Sequence, residues 1–133
     1  MMEEITNHAV AKSPSLAPNQ KSTVFTEGFE GATAPALPAG WTQVGTWRTS
    51  TGLTGTPPIS AHTGQLGLLA HWDQTTFTGW CFSPDFPLVS GTTYTISFYF
   101  MAPGYQNEPD NLIAYIGQNR TAAIATTGTK IFE

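Results

Sequence analysis

The stretch Gly79-Trp-Cys-Phe-Ser-Pro-Asp-Phe-Pro-Leu-Val-Ser-Gly-Thr-Thr-Tyr-Thr-Ile-Ser-Phe-Tyr-Phe-Met-Ala102 decides the fold class. Tyr94, Ile96, Phe98 and Phe100 fall on one face of an extended chain, and Thr93, Thr95, Ser97 and Tyr99 on the other. A period of two with one apolar face is the pattern of a strand laid against a core. After a Pro/Gly/Asn loop, Asn111-Leu-Ile-Ala-Tyr-Ile-Gly117 repeats the theme. The surrounding apolar segments are short, and each is closed by Gly, Pro, Asn or Asp. No segment carries a helical period. The pattern predicts an all-β protein, an antiparallel β-sandwich.

Working outward, a first strand is expected over Val24–Phe29, followed by a loop over Gly31–Gly40 whose Pro35 and Pro38 cannot enter a sheet interior. Gly40–Thr51 predicts two short strands hinged at Gly45, and Thr51–Gly64 a long loop. A leucine-rich strand lies within Gln65–Trp72, with a turn at Thr75–Thr78. Strands at Trp80–Phe82, Thr92–Ala102 and Asn111–Gln118 follow, with a weaker candidate at Ala122–Thr126. The strand Thr92–Met101 reads as central, and Ile131-Phe132 reads as an exposed edge. Residues 1–23 read as a flexible leader, and 24–133 as a partial sandwich domain.

The chain has 133 residues, enough for one domain. Charge is scarce: five Lys and Arg against nine Asp and Glu, a formal net charge of -4. Polarity comes instead from Thr, Ser, Asn and Gln, and Thr suits half-buried strand positions. Without a basic cluster, neither nucleic acid nor an anionic membrane surface is an expected partner. No apolar run is long enough for a membrane span, and the N-terminus lacks the basic start and apolar run of a signal peptide. Cys81 is the sole cysteine, so an internal disulfide is excluded. It reads as a small buried hydrophobe between Trp80 and Phe82, with no local His to activate a thiolate.

The candidates for chemistry are few. His62 and His71 lack metal-ligand spacing and read as packing or surface residues. Ser83 lacks a Gly-x-Ser-x-Gly setting, and Asp85 after Pro84 is turn chemistry. A glycosidase needs two carboxylates facing each other across a cleft. Glu27, Glu30, Asp73, Asp85, Glu108 and Asp110 supply acids, but nothing in the sequence pairs them. Trp41, Trp47 and Trp80 read as core anchors. Trp72 and Tyr105, at a strand end and in a loop, could present aromatic faces to a sugar ring or a partner protein. Asn119-Arg-Thr121 matches a glycosylation sequon, a motif common by chance.

Several segments taken in order carry a resemblance: Phe25-Thr-Glu-Gly-Phe-Glu-Gly31, Leu37-Pro-Ala-Gly-Trp41, Trp47, Ala61-His-Thr-Gly64, Gly79-Trp-Cys-Phe-Ser-Pro84, Leu88, Gly91–Phe98 and Asn111–Gly117. From Val24 to Glu133 the chain resembles the cleaved-adhesin or choice-of-anchor J domains. These are jelly-roll sandwiches of secreted and surface proteins of Bacteroidetes-type bacteria, including the adhesin regions of gingipain proteases. The resemblance implies a structural calcium ion, with Glu27 and Glu30 at the acidic positions of the first strand. His62 and Thr63 match a turn offering oxygen ligands. Calcium takes six to eight oxygens. On a regular strand Glu27 and Glu30, three apart, face opposite sides, so one ion reaches both only if Gly28 bends the chain or Glu30 already lies in the loop. The alternative is that both are surface carboxylates.

The resemblance further implies a non-catalytic adhesin-like or carbohydrate-binding-type accessory module, secreted or at the cell surface, within a larger multidomain protein. Glycans or host and matrix proteins are then the expected partners. The alternatives are a jelly-roll glycan hydrolase or lyase, and a structural spacer without a ligand. Family members continue past the position of Glu133 into a strand with an Asp-Asp pair, so the chain is expected to be a fragment with one apolar face partly open. Open patches above a few hundred Å² drive association. The isolated chain is therefore expected to melt at low temperature or to self-associate. Its melting temperature should respond little to calcium. A sharp, concentration-independent melt raised several degrees by Ca²⁺ contradicts this expectation.

Overall fold

The computed structural model describes residues 3–10, as backbone alone, together with 22–54, 58–71, 79–102 and 111–133. Within them lie the strands β1 (Glu3–Val10), β2 (Thr42–Val44), β3 (Trp47–Ser50), β4 (Gly67–Ala70), β5 (Trp80–Phe82), β6 (Thr93–Phe100), β7 (Ala114–Ile116) and β8 (Thr129–Phe132). One four-residue helix, α1 (Ile124–Thr127), precedes β8. All pairing is antiparallel, in four two-stranded units: β1 with β6, β2 with β5, β3 with β4, and β7 with β8. The all-β expectation therefore holds.

β6 behaves as its sequence dictates. Burial alternates strictly along it, with Tyr94, Ile96, Phe98 and Phe100 half-buried and Thr93, Thr95, Ser97 and Tyr99 exposed. On the apolar face, the Phe132 ring of β8 lies 5.6 Å from Phe98, edge-on, and 5.3 Å from Phe100. Such offset aromatic pairs add to the burial they bring. The strand starts from a turn in which the Thr92 N–H donates to the Val89 carbonyl (3.2 Å). Gly91 there has φ 86°, a conformation that glycine adopts at little cost. The Val89 N–H also donates to the Tyr94 hydroxyl at 2.8 Å, tying turn to strand.

Several elements differ from the sequence reading. Glu3–Val10, placed in the leader, forms β1 and pairs with β6 over eight positions, Glu3 opposite Phe100 to Val10 opposite Thr93. This segment has no Pro or Gly, and β6 offers it an edge of unpaired N–H and C=O groups. Pro14 and Pro18, which shaped the leader reading, lie outside the described residues. Among the described residues β6 pairs with β1 alone. Val24–Phe29 is not a strand but irregular chain, bent at Val24 and at Phe29. Ala122–Thr126 is not a strand but a turn leading into α1: the Thr126 and Thr127 amides both return to the Ala123 carbonyl, as do their hydroxyls. Ile131 and Phe132 belong to β8, which turns back onto β7.

The hinge at Gly45 is as expected, with φ 98° between β2 and β3. β3–β4 is prolonged by Thr46, which exchanges backbone and hydroxyl hydrogen bonds with His71. The long loop after β3 closes on itself through a Leu53–Ile59 bridge. Thr49, only 1% exposed, anchors the proline loop: its N–H donates to the Pro35 carbonyl and its hydroxyl to that of Ala36 at 2.6 Å. Among described apolar residues just Phe82 and Ile124 are buried. Trp41, Trp47 and Trp80, expected as core anchors, are half-buried.

Ile124 is accommodated by two glycines. A Cβ on Gly117 would lie 2.9 Å from Ile124 Cγ1; one on Gly128 would lie 2.6 Å from that atom and 2.8 Å from the carbonyl oxygens of Ile116 and Ile124. Backbone oxygens cannot yield as a side-chain tip can. Gly128→Ala is expected to cost about 1–3 kcal/mol by overpacking. The unfolded-state gain of about 0.4–1 kcal/mol from losing a glycine does not offset that. Gly31→Ala, where a Cβ meets nothing within 4 Å, should be near neutral. Urea titrations of the two variants make the comparison.

Candidate functional site

Glu27 and Glu30, the acids expected at the calcium site, lie in the irregular segment that stands in place of the expected first strand and in the turn after it. The Phe29 N–H donates to Glu27 Oε1 at 2.6 Å, and the Trp41 indole N–H to Glu27 Oε2 at 3.3 Å. Phe29 has φ 65°, a left-handed conformation costing a non-glycine residue about 1–2 kcal/mol. A hydrogen bond to a charged carboxylate contributes about 1.5–3 kcal/mol, enough to hold it. This local capture is why Val24–Phe29 does not extend as a strand. The turned chain stacks aromatics: Phe29 lies 5.3 Å and Phe25 6.5 Å from Trp41, and Phe86 stacks on Phe25 at 5.3 Å.

Glu30 points elsewhere. Its Oε1 accepts the Gln65 N–H at 2.9 Å and the Leu66 N–H at 2.8 Å. Gly64, with φ 72°, has no Cβ that would overlap the Glu30 carboxylate. His62, in the same turn, lies flat on Tyr99 of β6, ring centres 3.5 Å apart and planes 7° apart. Thr63 is exposed. The four residues expected around one calcium ion are thus directed to different places: Glu27 to the Trp41 cluster, Glu30 to the 65–66 amides, and His62 to β6. Glu27 carries an N–H on each oxygen and Glu30 carries two on Oε1. These donors present positive dipole ends, which favour a negative partner. Among the described residues no group of three or more His, Cys, Asp or Glu is gathered to hold a metal.

Trp72 and Tyr105, the expected ligand-binding aromatics, lie outside the described residues, as do Asp73, Glu108 and Asp110. Asp85 pairs with the Arg120 Nε at 3.4 Å, with the two side chains 39% (Arg120) and 87% (Asp85) exposed, a pairing worth at most about 1 kcal/mol. Arg120 Nη1 also donates to the Gly40 carbonyl at 2.9 Å, and an added Cβ at Gly40 would come within 3.1 Å of Pro84. Three loops therefore meet at this point, a convergence no local motif announces. The sequon asparagine is engaged within its own loop: Asn119 Nδ2 donates to Thr127 Oγ1 at 2.9 Å, and Asn119 Oδ1 accepts from Thr121. A cavity of about 50 Å³ between Ser50, Ile59 and Leu68 has room for water. Drug-sized ligand pockets start near roughly 300 Å³.

No helix among the described residues is long and apolar enough to cross a membrane. Family models, curated proteins and solved structures were each compared with the chain, and none matches.

Cys81 is half-buried on β5. Burial pushes its thiol up from 9.0 to about 11, a hydrogen bond with the Phe82 backbone opposing weakly. A thiol raised in the folded state stabilises the protein fully below its ordinary value. That contribution is lost as pH climbs from 9.0 to about 11. At pH 8 the folded thiolate fraction is smaller than the unfolded by about a hundredfold. Iodoacetamide should therefore modify the folded protein roughly tenfold more slowly than the urea-unfolded chain, since the greater nucleophilicity of a thiolate of raised pKa offsets about half of the lost thiolate fraction on a logarithmic scale. Equal rates would place the thiol in water.

Proposed function

We propose that this chain is a non-catalytic, adhesin-like or carbohydrate-binding-type module of a larger secreted or cell-surface protein, folded as a jelly-roll β-sandwich. One observation carries the reading. Each carboxylate whose side chain is described already has a partner: Glu27 and Glu30 hold N–H groups, Asp85 pairs with Arg120, and Glu133 pairs with Lys130. General acid–base work on a glycosidic bond needs two carboxyl groups turned toward a common cleft, and these four turn toward their own neighbours. The raised Cys81 thiol supplies no ready nucleophile. Glycans and host or matrix proteins are the proposed partners, with Trp72 and Tyr105 as the aromatic contacts.

Glycan-array and matrix-protein binding by the chain is the test. Trp72→Ala and Tyr105→Ala are expected to weaken binding by about fivefold or more at unchanged melting temperature, since truncating an aromatic contact at the centre of an interface costs upward of about 1 kcal/mol. Turnover of a glycan, lost on changing Asp73, Glu108 or Asp110 to its amide, supports the enzyme alternative instead. Absence of both binding and turnover leaves the spacer reading.

A further inference from the structure

The turn at 64–66 has the polarity of an anion site. Gly64 sits in the left-handed region at φ 72°, and the next two N–H groups, of Gln65 and Leu66, converge on one oxygen at 2.9 and 2.8 Å. Successive backbone amides converging beside a left-handed residue form a concavity for negative charge. Its occupant comes from 35 residues earlier in the chain, Glu30. We propose that the 64–66 turn is a carboxylate-binding nest filled in cis by Glu30, and that this internal anion, rather than a bound cation, joins the 27–30 and 61–66 turns.

Three observations agree on this assignment. Both bonds converge on Oε1, as a carboxylate oxygen with two lone pairs allows. Gly64 leaves space only as deep as the carboxylate needs, since a Cβ there would overlap it. The neighbouring acid, Glu27, is likewise held by N–H donors, Phe29 and Trp41, so the region offers a cation two partly neutralised carboxylates. The clamp also sets where the 61–66 turn lies, and with it the His62 ring against Tyr99.

The experiment compares the full chain with Glu30→Ala and Glu30→Gln. Emptying the nest in Glu30→Ala should lower Tm by about 5 °C, the shift expected for roughly 1 kcal/mol in a domain of this size. Acetate or formate at tens of millimolar should restore part of the loss in Glu30→Ala but leave the parent chain unchanged, with chloride at equal ionic strength as the control. Glu30→Gln, which keeps one acceptor oxygen, should lose less than Glu30→Ala. Ca²⁺ and EDTA should leave the parent Tm unchanged. Should Glu30→Ala fail to fold, the amide protons of Gln65 and Leu66 in Glu30→Gln are read instead. An upfield shift and faster exchange than in the parent support the nest, and unchanged amides overturn it. A Ca²⁺-dependent rise of several degrees in the parent, absent from Glu30→Gln, also overturns it, as does equal rescue of Glu30→Ala by chloride.

Discussion

β6 is the strand on which the described structure depends, and its two-sided character is the governing constraint. One face is aromatic and aliphatic and receives Phe132. The other is hydroxylated and ends in Tyr99, on which His62 lies. One edge carries β1. A strand of alternating residues can serve two faces and an edge at once because side chains leave perpendicular to the direction of backbone pairing. The β7–β8 unit and the 61–66 turn are thereby placed on opposite sides of a single eight-residue segment. Slipping the register by one residue would exchange the faces, presenting Tyr99, with Ser97 or Met101, to Phe132.

Away from β6, cohesion comes from directed polar contacts more than from a deep core. Phe82, Ile124 and Thr49 are the buried side chains among described residues. Val44, Val89 and Leu88 stay exposed, at 56, 57 and 42%, and contribute little burial. The turns are instead held by side chains that satisfy backbone groups. Glu27 holds the Phe29 amide, Glu30 those of Gln65 and Leu66, Thr49 the Ala36 carbonyl, and Arg120 that of Gly40. Such bonds weigh most where one partner is charged. Acids that satisfy amides in this way tie together the turns they join.

The sequence by itself determined the strand character of the chain. Period-two alternation in Thr93–Phe100 is a local property, and the alternating burial follows directly from it. The hinge at Gly45 and the strand at Trp80–Phe82 were legible for the same reason: a glycine's φ freedom and a short apolar run act within a few residues. Tertiary structure alone decided the partners. That Glu3–Val10 would join β6, some 90 residues away, depends on which edge is open, and no local pattern records that. The direction of Glu30 was equally hidden, because a carboxylate near a glycine-rich turn suits a cation or an amide pair alike until the distant N–H groups are placed. Local rules act over one turn or one pleat, whereas satisfying a buried or turned amide draws on any group that folding brings within about 3 Å.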